Sequence, residues 1–256
     1  MSVKKDLRIL ISNDDGINAP GIQVLEEIAR TISSDVWVVA PAQEQSGAAH
    51  SLTLHYPLRP KELGPKRFSV DGTPTDCVLM AIKELISDKK PDLVLSGVNN
   101  SQNLADDVTY SGTVAAAMEG TLLGVPSIAF SQCVAQGDPI YWETALKYCP
   151  GLIRKLLENG WPKGVLINVN IPNVMPDKIK GISVTHQGLR PDYKSLLKAL
   201  DPRGLPYYWV GPVLFGDVPE KDTDLEAIGH GKISVTPLHL DLTHYDTWKT
   251  LKQQME

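Results

Sequence analysis

Apolar residues in the first two thirds of this chain fall into short solid runs: Leu7–Ser12 (LRILIS), Val36–Ala40 (VWVVA), Leu93–Ser96 (LVLS), Val125–Ser131 (VPSIAFS) and Val165–Ile171 (VLINVNI). Between them lie segments of helical period. Gly21–Thr31 places Ile22, Leu25, Ile28 and Ala29 on one face, and Thr73–Ile86, a small-residue stretch from Ser111 and Tyr141–Glu158 follow. Strand-length runs alternating with longer helical patterns predict repeated βαβ units and a mostly parallel α/β sheet. Thr73 fits an N-cap, Pro74 the first helical position, and Asp76 an approximate capping box, which assigns Asp76 to helix initiation rather than chemistry.

The alternation stops after Ile171. Prolines, glycines and aromatics then dominate, as in Asp201–Gly211 (DPRGLPYYWVG), and Ile228–Thr243 reads as a strand with an extended continuation. This predicts a hairpin or arm outside the main sheet, used for subunit contacts. With no internal repeat or low-complexity linker, residues 1–256 read as one domain, comprising a core over 1–171 and an irregular, β-hairpin and oligomerisation segment over 172–256.

Composition narrows the function. At 256 residues the chain is at the upper edge of one large domain, and 42% hydrophobic with 21% charged residues is ordinary for a soluble globular protein. A net charge of -5 leaves no basic stripe for a nucleic-acid backbone, so a nucleic-acid polymer is excluded as a partner while a small anion held through a metal is not. The amino terminus has no apolar stretch of signal-peptide length, and no membrane span is visible. Cys77, Cys133 and Cys149 lack metal-site or CxxC spacing and read as reduced, mostly buried thiols of a cytoplasmic protein.

The chemistry concentrates in the loops after successive strands, which meet at one crevice in an open parallel sheet. The first loop supplies Asn13, Asp14, Asp15, Gly16 and Asn18; the second, Gln43, Ser46 and Gly47; the third, Asn99, Asn100, Asn103, Asp106 and Asp107. Adjacent carboxylates repel and are costly to desolvate, and a divalent cation is the simplest resolution. Carboxylate, hydroxyl and amide oxygens suit magnesium, manganese or calcium better than zinc. Ser111, Gly112 and Thr113 then open a helix of small residues, and helix N-termini bind phosphate. A cation beside such a terminus is the layout of a phosphoryl-transfer or phosphoester-hydrolysis site.

These motifs carry a family resemblance. SNDDG with APGI (12–16, 19–22), VVAPAQEQSGAAHSLTL (38–54), GTPTDCV (72–78) and SGVNNSQNLADDVTYSGTVAAAMEG (96–120), followed by DPRGLPYYW and TDLEAIGHGKISVTPL, together resemble the survival protein SurE family of nucleoside monophosphate phosphatases, in collinear order over nearly the whole chain. The resemblance implies a metal-dependent hydrolase of 5′- and 3′-nucleotides, with short polyphosphate as a further substrate. It implies a Rossmann-like three-layer sandwich with an extended carboxyl-terminal β arm exchanged between subunits of a homodimer or homotetramer. It places one divalent cation per subunit, Mg or Mn, on Asp14, Asp15, Ser46 and Asn99, with Asp14 and Asp15 catalytic. Asn103, Ser111, Gly112 and Thr113 match the family's phosphate-side residues, and Asn18 ranks below them. Ser101 and Ala105 stand where the family usually has glycine, adding side chains where the backbone needs room or positive φ.

The residues leave the nucleophile open between a metal-activated water and Asp14 itself through a phosphoaspartate. Gly16 stands two positions after Asp14, where a haloacid dehalogenase-like phosphatase needs a second aspartate, and no GxGxxG turn supports a dinucleotide-dependent oxidoreductase. A non-catalytic, metal-dependent nucleotide sensor is the alternative from another class.

Overall fold

A computed structural model describes residues 7–135, 137–190, 196–210 and 220–256. Residues 1–6 of the amino-terminal reading, and Gly211 of the DPRGLPYYWVG segment, lie outside them. In chain order the elements are β1 (Arg8–Ser12), α1 (Pro20–Arg30), β2 (Asp35–Pro41), β3 (Pro60–Gly64), β4 (Arg67–Val70), α2 (Pro74–Met80), β5 (Leu93–Asn99), α3 (Gly112–Leu122), β6 (Ser127–Cys133), α4 (Trp142–Asn159), β7 (Val165–Pro172), β8 (Ile182–Val184), β9 (Leu196–Leu200), β10 (Pro206–Val210), α5 (Asp224–Gly229), β11 (Ile233–His239) and α6 (Tyr245–Met255).

Nine strands form one sheet in the order β3-β4-β2-β1-β5-β6-β7-β11-β8. The run from β4 through β7 is parallel, and β3 and β11 pair antiparallel at either side of it. Both faces are covered, which explains the solid apolar runs: Ile9 and Ile11 pack toward Ile22, Leu25 and Ile28 of α1 and Ile153 of α4, while Leu10 between them packs toward Cys77 and Val78 of α2 and Ala116 of α3. The result is the expected α/β three-layer sandwich. The small residues of α3 serve its close approach to the sheet, since a Cβ on Gly120 would lie 2.5 Å from Ser127 Oγ and 2.8 Å from Val94 Cγ2.

Three local differences have physical causes. The second helix is α-helical only to Met80 and continues as a wider turn over Ala81–Leu85. Strand β4 is too short and too polar (RFSV) for periodicity to find, yet pairs in register with β2. Residues 233–239, expected in an arm, lie inside the main sheet, paired antiparallel to β7 through six residue pairs from Ser234 to His239. The hairpin outside the sheet is β9–β10, a separate antiparallel pair. All three thiols are free, and no described helix is long and apolar enough to cross a membrane.

Candidate active site

Strand β1 continues to β2 and β4 on one side, and the chain then returns to β5 on the other, so the carboxyl ends of β1 and β5 bound the crevice where strand order reverses. After Ser12 the chain turns sharply: the Asn13 side-chain amide donates to the Gly16 carbonyl at 2.9 Å, and Gly16 takes a φ of 98° that admits glycine. A side chain there would also meet the Gln43 backbone at 3.3 Å.

Contacts from three loops converge on this turn. Gln45 N–H donates to the Asp14 carbonyl and Ile17 N–H to the Pro41 carbonyl, both at 2.8 Å, fastening the second loop to the first. From the loop after β5, the Asn100 backbone amide lies close enough to the Asp15 carboxylate to favour its ionised form. From α3, the Thr113 hydroxyl donates to Asp14 Oδ1 at 2.6 Å. Gly112 is glycine because Asp14 passes against it: a Cβ would sit 2.7 Å from Asp14 Cβ and 3.0 Å from Oδ2.

The electrostatics are lopsided. Burial pushes the Asp14 carboxyl above its ordinary value against the Thr113 hydroxyl bond, with Glu44 adding to the rise. Asp15 is pushed up to about 7, first by burial and then by the charges of Asp14 and Glu44, with the Asn100 amide opposing. Among the described residues no Lys, Arg or His forms an ion pair with either carboxylate. Asn13 Oδ1, one residue away, is buried without a hydrogen-bond partner. The Asn99 side-chain nitrogen is committed to the Ser101 carbonyl at 2.9 Å, and no described residue donates to its oxygen. Ser46, exposed, donates to Glu44 Oε1 at 2.7 Å. Among the described residues no three His, Cys, Asp or Glu side chains gather as a metal cluster. Two carboxylates, a hydroxyl and an amide oxygen with uncompensated charge nevertheless fit a hard divalent cation.

The remaining expected residues are engaged by the protein. Ser111 caps α3, its hydroxyl accepting from Val114 N–H at 3.0 Å. Asn103 is buried, its amide donating to Ser131 Oγ at 2.7 Å and its carbonyl accepting from Asn168 and Asn170 at 2.8 and 3.0 Å. Asn18 is exposed. Asp106 and Asp107, grouped with the crevice donors by sequence, turn to the tail instead: Asp106 accepts from Arg190 N–H at 2.9 Å and Asp107 pairs with the Arg190 guanidinium at 3.2 Å. Ala105 adopts a φ of 50°, the left-handed geometry its glycine-like position implied, whereas Ser101 does not. Sequence reasoning passed over Glu44 and the Asn168–Asn170 pair. Two asparagines alternating in a buried strand had one readable signal, since amides on a covered face need partners.

Fold and crevice together define a doubly wound α/β protein with an acidic, oxygen-lined site at the sheet's switch point, set against a helix N-terminus. The family model described as survival protein SurE matches residues 9–194. The chain is 55% identical to 5′-nucleotidase SurE of Paramagnetospirillum magneticum over 96% of this chain and 95% of that one, and 53% identical to 5′-nucleotidase SurE of Parvibaculum lavamentivorans over 98% and 92%. It superposes on the crystal structure of the SurE protein from Aquifex aeolicus with a TM-score of 0.87 at 45% identity, over 97% of this chain and 100% of that one. This chain belongs to the SurE family.

Proposed function

We propose that this chain is a divalent-metal-dependent phosphomonoester hydrolase releasing phosphate from nucleoside 5′- and 3′-monophosphates, with short polyphosphate a further substrate. The observation that carries the reading is the adjacent Asp14 and Asp15, the first buried and hydrogen-bonded to Thr113 in the first turn of α3, the second half-buried, and neither ion-paired with any described residue. The relatives' name, 5′-nucleotidase SurE, supports the substrate class.

Asp14, Asp15, Ser46 and Asn99 would hold one Mg or Mn ion per subunit, and a bound divalent cation supplies charge neutralisation at a phosphate oxygen. The Thr113 hydroxyl and the Gln45 amide fix both ends of Asp14, so its carboxylate keeps one orientation through a turnover. Ser111, Gly112 and Thr113 set the helix terminus toward the substrate's phosphate, with Asn103 behind them and Asn18 at the exposed rim. Attack on phosphorus comes either from water, with a carboxylate taking its proton, or from Asp14, forming an acyl phosphate that water then opens at phosphorus; in both routes the P–O bond to the nucleoside breaks and the nucleoside leaves as an alcohol, taking up a proton. The stereochemical course at a chiral phosphorus separates the routes: net retention, from two in-line displacements, supports the second, and inversion, from a single displacement, the first.

Residues 1–256 act as one domain of a cytoplasmic homodimer or homotetramer. The exposed apolar surfaces of the β9–β10 hairpin and of α6, which has no buried residue, support self-association. Phosphate release from 5′-AMP and 3′-AMP with added Mn or Mg tests the activity. Nucleotide binding without metal-dependent release would overturn it in favour of a sensor.

A further inference from the structure

On the side of the crevice away from β5, the carboxyl ends of β2 and β4 bound a cleft of about 350 Å³ lined by Gln43, Gln45, Thr53, Asp71 and Thr73. Its position follows from the sheet order. β1, β2 and β4 are consecutive parallel neighbours, so the loop after β4 opens on the same edge as Asp14, two strand spacings or about 10 Å away. The two clefts share a wall, because Gln45 donates its backbone amide to the Asp14 carbonyl and Gln43 lies against Gly16.

The lining divides by commitment. Thr53 and Thr73 are used by the fold, donating to Asp76 and to the Ser51 carbonyl. Among the described residues, none forms a hydrogen bond or ion pair with the side chains of Gln43, Gln45 and Asp71, and the Asp71 backbone amide, turned back to the Arg59 carbonyl, holds that residue at the rim. Two amides that each donate and accept, with a carboxylate that only accepts, suit a neutral ligand carrying both edge heteroatoms and hydroxyls. An acidic rim without a cation disfavours a second phosphate.

We propose that this cleft is the nucleoside subsite: Asp71 accepts hydrogen bonds from the sugar hydroxyls, and Gln43 and Gln45 face the base edge. A carboxylate on ribose hydroxyls is the pairing dinucleotide folds use, and here it makes Asp71 the residue that separates ribonucleotides from deoxyribonucleotides. Glutamines at the base edge read no single pattern, so purine and pyrimidine nucleotides are both admitted. The inference rests on the nucleotidase reading above.

The test compares kcat/KM for 5′-AMP, 5′-dAMP and p-nitrophenyl phosphate, which has no nucleoside, in wild type, Asp71→Asn, Asp71→Ala and Gln45→Ala, with adenosine as competitive inhibitor. The expected result is a fall of about tenfold or more in the AMP to p-nitrophenyl phosphate ratio, the loss of one charged hydrogen bond. The ribose over deoxyribose preference should collapse and adenosine inhibition weaken by the same factor. The Asp71 side chain is exposed and bonds to none of the described residues, so its variants keep the fold. Unchanged ratios in both Asp71 variants overturn the assignment. So does a loss of selectivity in Asp138→Asn alone, which places the nucleoside on the opposite flank beside Asn100 and Ser101. Failure of wild type to cleave any of the three esters instead overturns the hydrolase reading itself.

Discussion

The Thr113 hydroxyl and the Asp14 carboxylate meet at 2.6 Å across 99 residues of chain, in a buried setting where neither faces open water. That bond ties the acidic turn after β1 to the first turn of α3. Thr113→Val removes it while keeping the shape. The expected loss is about 1.5–3 kcal/mol of a charged hydrogen bond, read as a roughly ten- to hundredfold fall in kcat. Thr113→Ser, which restores the hydroxyl, should recover most of it. Full activity in Thr113→Val would show that Asp14 is oriented by other groups.

Gly112 and Gly151 make a matched pair. A methyl group on Gly112 meets Asp14 Cβ at 2.7 Å, whereas one on Gly151, exposed within α4, meets nothing within 4 Å. Gly112→Ala should lower stability by about 1–3 kcal/mol through overpacking and reduce activity with it. Gly151→Ala should raise stability by about 0.5–1 kcal/mol through helix propensity and leave kcat alone. Thermal melts with parallel assays distinguish the two.

The raised carboxyls set a pH dependence with a definite sign. A folded-state pKa above the unfolded value means the folded chain binds that proton more tightly. Asp14 and Asp15, the latter at about 7, therefore subtract stability when ionised above about neutral pH. Their penalty disappears as pH falls through the folded value toward the ordinary carboxyl range. Cation-free protein should gain melting temperature from these groups between about pH 8 and about pH 5, and the Asp14→Asn/Asp15→Asn double variant should show a flatter profile. Mg or Mn should stabilise wild type more at the higher pH.

Asp224 is wholly buried and accepts backbone amides from Ala105 at 2.8 Å, Gly188 at 2.9 Å and Leu225 at 2.8 Å. Asp224→Ala strands three donors and should cost about 3 kcal/mol or more. Hydrogen exchange should rise first at Ala105 and Gly188. Protection unchanged at those amides would show that another acceptor replaces the carboxylate.

Helix α6 carries Tyr245, Trp248, Leu251 and Met255 at helical spacing, all exposed. If that stripe is covered by a second copy, ending the chain at Leu240 should lower the mass measured by light scattering while the far-ultraviolet spectrum loses only the helix. An unchanged assembly moves the subunit contact to the β9–β10 hairpin.

Much of the layout was legible because it is local. Thr73 does cap α2, its hydroxyl accepting from Asp76 N–H while Asp76 returns a bond to Thr73 N–H, and Ser111 does cap α3. Solid apolar runs located the buried parallel strands, and the acidic turn at their carboxyl edge located the crevice. What was not legible depends on distant partners. Arg190 claims Asp106 and Asp107 from more than 80 positions away, and nothing in the third loop's composition distinguishes a carboxylate facing a cation from one facing a guanidinium. Glu44 escaped notice because an exposed glutamate beside a glycine turn reads as solvated, and only its proximity to Asp14 and Asp15 gives it an electrostatic role.

By itself the sequence determined the alternation of buried strands and helices through the first two thirds of the chain, the caps at Thr73 and Ser111, and the family, since each is written in spacing over a few residues or in collinear motifs. Tertiary structure alone decided that residues 233–239 enter the main sheet beside β7, that Thr113 faces Asp14, and that Asn103 is held from behind by Asn168 and Asn170. Periodicity specifies which face of an element is buried. Which neighbour covers that face, and which donor meets a buried acceptor, is settled only when the whole chain packs.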